Sequence, residues 1–114
     1  MPLIYEICPD SLWRAAEAEG RFDGAAIDLS DGYIHFSTGA QLRETVAKHF
    51  AGQQDLLLIA VEDDKLGAAL RYEPSRGGDL FPHLYAPLGT RDVRWVAPLA
   101  EGPDGAHLIP EDVA

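Results

Sequence analysis

Asp31-Gly-Tyr-Ile-His-Phe-Ser-Thr38 is the stretch on which the fold of this 114-residue chain turns. Tyr33 to Ser37 alternates as a short strand, with Ile34 and Phe36 on one face and Tyr33, His35 and Ser37 on the other. Thr38 then opens a Thr-x-x-Gln capping box with Gln41, in which hydroxyl and amide satisfy free backbone N–H groups at a helix start. Leu42, Val46 and Phe50 follow at i, i+4 and i+8, the apolar stripe of a helix that Gly52 closes. Strand, cap and helix succeed one another directly, and the strand's polar face carries a histidine that needs a partner.

Working outward, Pro2 to Cys8 reads as a strand, with Leu3, Tyr5 and Ile7 on one face and Ile4, Glu6 and Cys8 on the other; Glu6 is read as an edge charge. Asp10 starts a helix running to about Glu19, its inner stripe formed by Leu12, Ala15 and Ala16, with Trp13 at the edge and Gly20 as the stop. Arg21 to Gly32 is rich in Gly and Asp and reads as a loop. Leu56-Leu-Leu-Ile-Ala-Val61 is nearly continuous in apolar residues, the pattern of a central strand covered on both faces. Glu62 to Lys65 makes a turn, Ala69 to Glu73 a strand, Pro74 to Asp79 a loop and Asp92 to Leu99 the last strand. The pattern predicts an α+β domain over residues 1–100 with two main helices, followed by a tail over 101–114.

Composition bounds the function. A chain of this length buries one core, and with 46% hydrophobic residues, many of them Ala, that core leans on Leu, Val, Ile and aromatic side chains. A formal charge of -10 repels phosphate backbones and argues against extended nucleic-acid binding, although scattered arginines leave room for a local nucleotide pocket. Cys8 is the single cysteine, so no intrachain disulfide forms and the cytoplasm is the expected compartment. No signal-like start and no run of apolar residues long enough to span a bilayer point to membranes.

Two segments carry candidate chemistry. In the first, His35, Ser37 and the cap Thr38 are expected to converge with free helix-start N–H groups, a combination that suits an anion or a nucleotide phosphate. In the second, Phe81-Pro-His-Leu-Tyr-Ala-Pro-Leu88, Pro82 and Pro87 stiffen the chain while His83 and Tyr85 point the same way. Against these stand plainer readings: His35 as a strand histidine bonded to a carbonyl, the second segment as an edge strand, and Glu73 as a solvated carboxylate. His49 and His107 are set aside, and no ligand spacing for a metal is present. Cys8 reads as a small buried hydrophobe. Walker, Gly-x-Ser-x-Gly and Gly-x-Gly-x-x-Gly motifs do not occur.

At these residues the chain resembles the DUF952 family, small bacterial proteins of unassigned function. The resemblance rests on Ile4-Tyr5, Trp13, Asp31 to Thr38, Gln41, Asp55-Leu-Leu-Leu, Glu73, Phe81 to Tyr85 and Pro87-Leu88. It implies an ADP-ribosyltransferase-like fold, a split and mostly antiparallel sheet holding NAD in a cleft. It further implies that Tyr5, Ser37, Thr38 and Tyr85 line the nucleotide site, and that His35, His83 and Glu73 form the catalytic set. NAD would then be a substrate, with no resident cofactor assigned. Three readings stay open: an NAD-dependent transferase, a non-catalytic module binding a small ligand or a protein through the same cleft, and a structural role with both histidines buried in a polar core.

Overall fold

A computed structural model describes residues 2–104, 106–110 and 113, except for the side chain of Arg76. Strand β1 (Leu3–Pro9) leads into helix α1 (Asp10–Glu19), which Gly20 ends in the left-handed conformation with its N–H on Ala16 and Glu17 carbonyls. Trp13, expected at the helix edge, is its main anchor: only 1% exposed, it packs on Phe22 at 5.5 Å, whereas Leu12 faces outward. The helix phase sets Trp13 and Ala16 together on the sheet, three residues apart.

The expected loop over Arg21 to Gly32 contains two elements instead, strand β2 (Arg21–Phe22) and helix α2 (Ala26–Asp31). Ala25 gives α2 no side-chain cap. Asp28 supplies one from inside the helix by accepting the Ala25 N–H at 2.8 Å. The expected strand over Tyr33 to Ser37 is likewise two pieces, β3 (Ile34–His35) and β4 (Ser37–Thr38), which belong to different sheets. At Phe36, whose N–H donates to the Pro82 carbonyl at 3.0 Å, the chain crosses from one sheet to the other.

Helix α3 (Gly39–His49) starts as its sequence requires. Thr38 N–H donates to Gln41 Oε1 at 3.0 Å and Gln41 N–H to Thr38 Oγ1 at 3.3 Å. Strand β5 (Leu56–Glu62) is buried on both faces, and β6 (Leu70–Pro74), β7 (Leu80–Leu84), β8 (Leu88–Gly89) and β9 (Val93–Pro98) complete the set. All named pairings are antiparallel: a four-stranded sheet in the order β4-β1-β5-β9, a three-stranded sheet β3-β7-β6 and a β2-β8 pair. The plainer reading of the Phe81 to Leu88 segment, an edge strand or irregular stretch, does not hold for its first half, since β7 lies between two neighbours.

Period-2 alternation divides the core. From β1 and β5, Ile4, Cys8, Leu57, Ile59 and Val61 meet Trp13, Phe36 and Leu84 on one face of the large sheet. Tyr5, Ile7, Leu56, Leu58 and Ala60 meet Leu42 and Val46 of α3 on the other. After β9 the chain turns back: Leu108 N–H donates to the Ala100 carbonyl, Glu101 bridges to His107, and Val113 is buried in the α3-side cluster. Residues 105, 111, 112 and 114 of the expected tail lie outside the described residues. Among the described residues no helix is long and apolar enough to cross a membrane.

Candidate functional site

The three-stranded sheet gathers a polar, aromatic face. Its register sets His35 opposite His83 and His83 opposite Arg71, one row across three strands. Opposed residues in an antiparallel sheet share a face, and Glu73 and Tyr85, two positions from this row, extend it. Tyr33, just before β3, lays its ring on His83 at 4.1 Å, with His35 at 4.6 Å and Tyr85 at 5.2 Å from it. The Arg71 guanidinium sits 5.1 Å from the Tyr85 ring centre.

Both histidines are held through Nδ1 by carboxylates, which only accept, so each Nδ1 carries a proton. His83 Nδ1 donates to Glu73 Oε1 at 2.8 Å, and Tyr85 Oη donates to the same oxygen at 2.7 Å. These bonds, Tyr85 first and His83 second, hold the Glu73 carboxyl below the usual carboxylate range, and the bond to Glu73 raises the Tyr85 phenol. His35 Nδ1 donates to Asp28 Oδ1 at 2.6 Å and its Nε2 to Asp31 Oδ2 at 2.9 Å. With carboxylates at both nitrogens the ring is an imidazolium. The Asp28 bond raises its pKa against the opposing effect of burial, and the charges of Asp28 and Asp31 add to the rise.

Asp28 anchors the assembly from within. Its side chain is 2% exposed and accepts from the Ala25 N–H, the His35 N–H and the His35 ring. Burial pushes its carboxyl up, but the bonds from His35, Ala25 and Glu6 outweigh that and hold it low. Gly24 makes room for it: a Cβ there would stand 2.7 Å from Asp28 Cβ, and its φ of +120° is one that other residues avoid.

Other expected site residues lie elsewhere. Tyr5, expected beside Tyr85 on a ligand ring, is buried on the α3 side of the large sheet, 5.9 Å from the Trp95 ring. Ser37 does not join His35, because the chain changes sheets at Phe36; it pairs with Tyr5 in register and shares a 2.9 Å hydrogen bond with Thr45. Thr38 is occupied as the α3 cap and lines a separate groove of about 500 Å³ with Gln41, Glu44, Asp79, Leu80 and Phe81. The structure therefore brings His35, His83, Glu73 and Tyr85 together and keeps Tyr5, Ser37 and Thr38 apart from them.

Sequence reasoning gave no site role to Asp28, Asp31, Tyr33 or Arg71, and it read Glu6 as an edge charge. Glu6 is 6% exposed on β1, which lies between β4 and β5. Its phase between Ile4 and Cys8 on an apolar face was the available signal. Cys8 is pushed up to about 12, by burial first and with the charges of Asp28 and Asp10 adding to the rise, so it is no nucleophile. Among the described residues no three His, Cys, Asp or Glu side chains are grouped to hold a metal ion.

Fold and site define an α+β protein with two carboxylate-anchored histidines on the face of a small antiparallel sheet. A family model described as a protein of unknown function, DUF952, matches residues 7–96, and the chain belongs to that family. Protein CC0527 from Caulobacter crescentus is similar throughout: its crystal structure is 51% identical, with 93% of each chain covered and a TM-score of 0.89. Its solution NMR structure is 52% identical over 93% of this chain and 91% of that one, with a TM-score of 0.84. No curated protein matches the chain.

Proposed function

We propose that the chain binds a nucleotide of the NAD or ADP-ribose type on the face formed by His35, His83, Glu73 and Tyr85. The observation that carries this reading is the pair of bonds on Glu73 Oε1, which fixes an ionised carboxylate beside the half-exposed phenol of Tyr85. Tyr33 and Tyr85 offer ring faces to a base or a nicotinamide, and Arg71 offers positive charge to a phosphate. In ADP-ribose transfer the bond from ribose C1′ to the nicotinamide nitrogen breaks, its electron pair leaves with nicotinamide, positive charge develops on the ribose, and an acceptor hydroxyl or water forms the new C1′–O bond and releases its proton. A preorganised carboxylate stabilises that charge without reorganising. The division into four- and three-stranded sheets supports an ADP-ribosyltransferase-like architecture, and the cytoplasm is the compartment that this reading assigns.

One observation favours a second reading, a non-catalytic binding module. Arg14 and Arg21 are bonded to carboxylates of their own segments, and Arg71 lies against a ring, so the face is thinly supplied with cations for a pyrophosphate. Calorimetry with NAD and ADP-ribose, together with chromatography of released nicotinamide, tests both. Saturable binding that Glu73→Gln weakens supports the site. Nicotinamide release that the same variant abolishes supports transfer, binding without release supports the module, and no heat at millimolar nucleotide overturns the nucleotide assignment.

A further inference from the structure

Glu6 has one oxygen accounted for and one that is not. Oε1 accepts the Ile7 N–H at 2.8 Å, while Oε2 is buried with no hydrogen-bond donor facing it among the described residues. Its polar neighbour is the Asp28 carboxylate, equally buried. Two ionised carboxylates in contact repel by roughly 4 kcal/mol even at an effective dielectric of about 20. A single proton between them turns the repulsion into a strong O–H···O hydrogen bond.

The partners decide where that proton sits. Asp28 already accepts two backbone N–H groups and the His35 imidazolium, all of which favour its charged form. Glu6 accepts one backbone N–H in a deeply buried position. We propose that Glu6 is a neutral carboxylic acid that donates its Oε2 hydroxyl to Asp28 and thereby positions the His35 imidazolium on the ligand face.

A hydrogen-bonded row, Glu6–Asp28–His35–Asp31, then runs from the strand interior to the surface. Burial first, then the charge of Asp28 and the bond to it, raises the Glu6 carboxyl well above the usual range, and the Ile7 N–H opposes this in part. The groups facing the row are Asp28 on α2, the neutral thiol of Cys8 on β1 and His35 on β3. Asp31, Tyr33 and His83 surround the outer end. Glu6 is a positioning residue, and its role does not depend on which ligand the face takes. The nucleotide reading and this one can fail separately.

The test follows the Glu6 carboxyl carbon and the His35 ring nitrogens by NMR across pH in the full chain, then repeats the ring measurement in Glu6→Gln and Glu6→Leu. The unsubstituted protein is expected to keep the Glu6 carbon at its protonated shift through pH 7. In Glu6→Gln an amide N–H replaces the hydroxyl donor, so the His35 midpoint and the slow exchange of its Nδ1 proton persist. In Glu6→Leu that proton exchanges several-fold faster. A Glu6 carbon that titrates in the ordinary carboxylate range overturns the proposal, even where a variant fails to fold. So does a Glu6→Gln protein whose His35 proton exchanges as fast as in Glu6→Leu.

Discussion

His35 and His83 face each other across the β3–β7 pair with ring centroids 5.6 Å apart, and each is anchored through Nδ1 by a carboxylate from a different element. They are not interchangeable. His35 keeps 32% of its side chain exposed and bonds carboxylates at both ring nitrogens, whereas His83 is 4% exposed beneath the Tyr33 ring. A ligand on this face meets His35, Tyr33 and Tyr85 directly, while His83 orients Glu73 from below.

The buried row gives stability a definite pH dependence. The folded pKa of His35 is raised, so its contribution is fully present below the unfolded value of 6.5 and is lost as pH rises through the folded value. The folded pKa of Glu6 is raised above 4.5, so the unfolded chain releases this proton first and stability falls as pH climbs beyond that point. Asp28 and Glu73 are lowered, so their contributions are present above their unfolded values and vanish as pH falls through the folded ones. Melting temperature is therefore expected to decline as pH rises above 6.5, where the His35 and Glu6 linkages act together. Glu6→Gln should flatten the decline. A melting temperature that rises over this range contradicts the protonation states assigned.

Trp13 tests the packing of α1. Trp13→Ala empties a fully buried site and is expected to cost about 3–5 kcal/mol in urea denaturation. Trp13→Phe should cost far less, because the indole Nε1 is buried without a hydrogen-bond partner among the described residues and its removal returns about 1–3 kcal/mol. Equal losses for the two variants would show that the indole nitrogen carries no such penalty.

Thr38 separates capping from ligand contact. Thr38→Ala removes the acceptor for the Gln41 N–H and is expected to lower stability by about 1 kcal/mol. Nucleotide affinity should stay unchanged, since Thr38 lies on a groove apart from the histidines. Weakened binding with an intact melting temperature would move the site to that groove.

Gly24 and Gly20 form a matched pair. Gly20→Ala meets open space at a φ of +82° and should cost about 1–2 kcal/mol from backbone strain. Gly24→Ala adds a clash with Asp28 Cβ, so it should cost more and also lower the His35 titration midpoint by displacing its partner. A His35 midpoint that Gly24→Ala leaves in place would contradict the anchoring role of Asp28.

Much of the scaffold is written locally, and the site is not. The cap at Thr38, the stripe of Leu42 and Val46, and the two-faced burial of Leu56 to Val61 depend on short-range pattern, and the structure keeps them. The two histidine segments stood out through polarity in strand-like runs, and β3 pairs with β7. What pattern could not show was the sheet change at Phe36, because alternation continues through it while the faces it refers to are exchanged. That is why Ser37 was placed with His35. Helix α2 escaped notice because its cap comes from Asp28 inside the helix, not from a Ser or Thr before it. The residue that hides the helix is the one that anchors His35.

The central claim is that the His35–His83 face binds a nucleotide, and the most direct test follows backbone amide shifts while NAD, ADP-ribose and nicotinamide are titrated in. The account predicts saturable shifts centred on Tyr33, His35, Arg71, Glu73, His83 and Tyr85, with the amides around Tyr5 and Ser37 behind the large sheet much less affected. Shifts confined to the groove beside Thr38 and Leu80, or none near His35 and His83 at millimolar ligand, would contradict it.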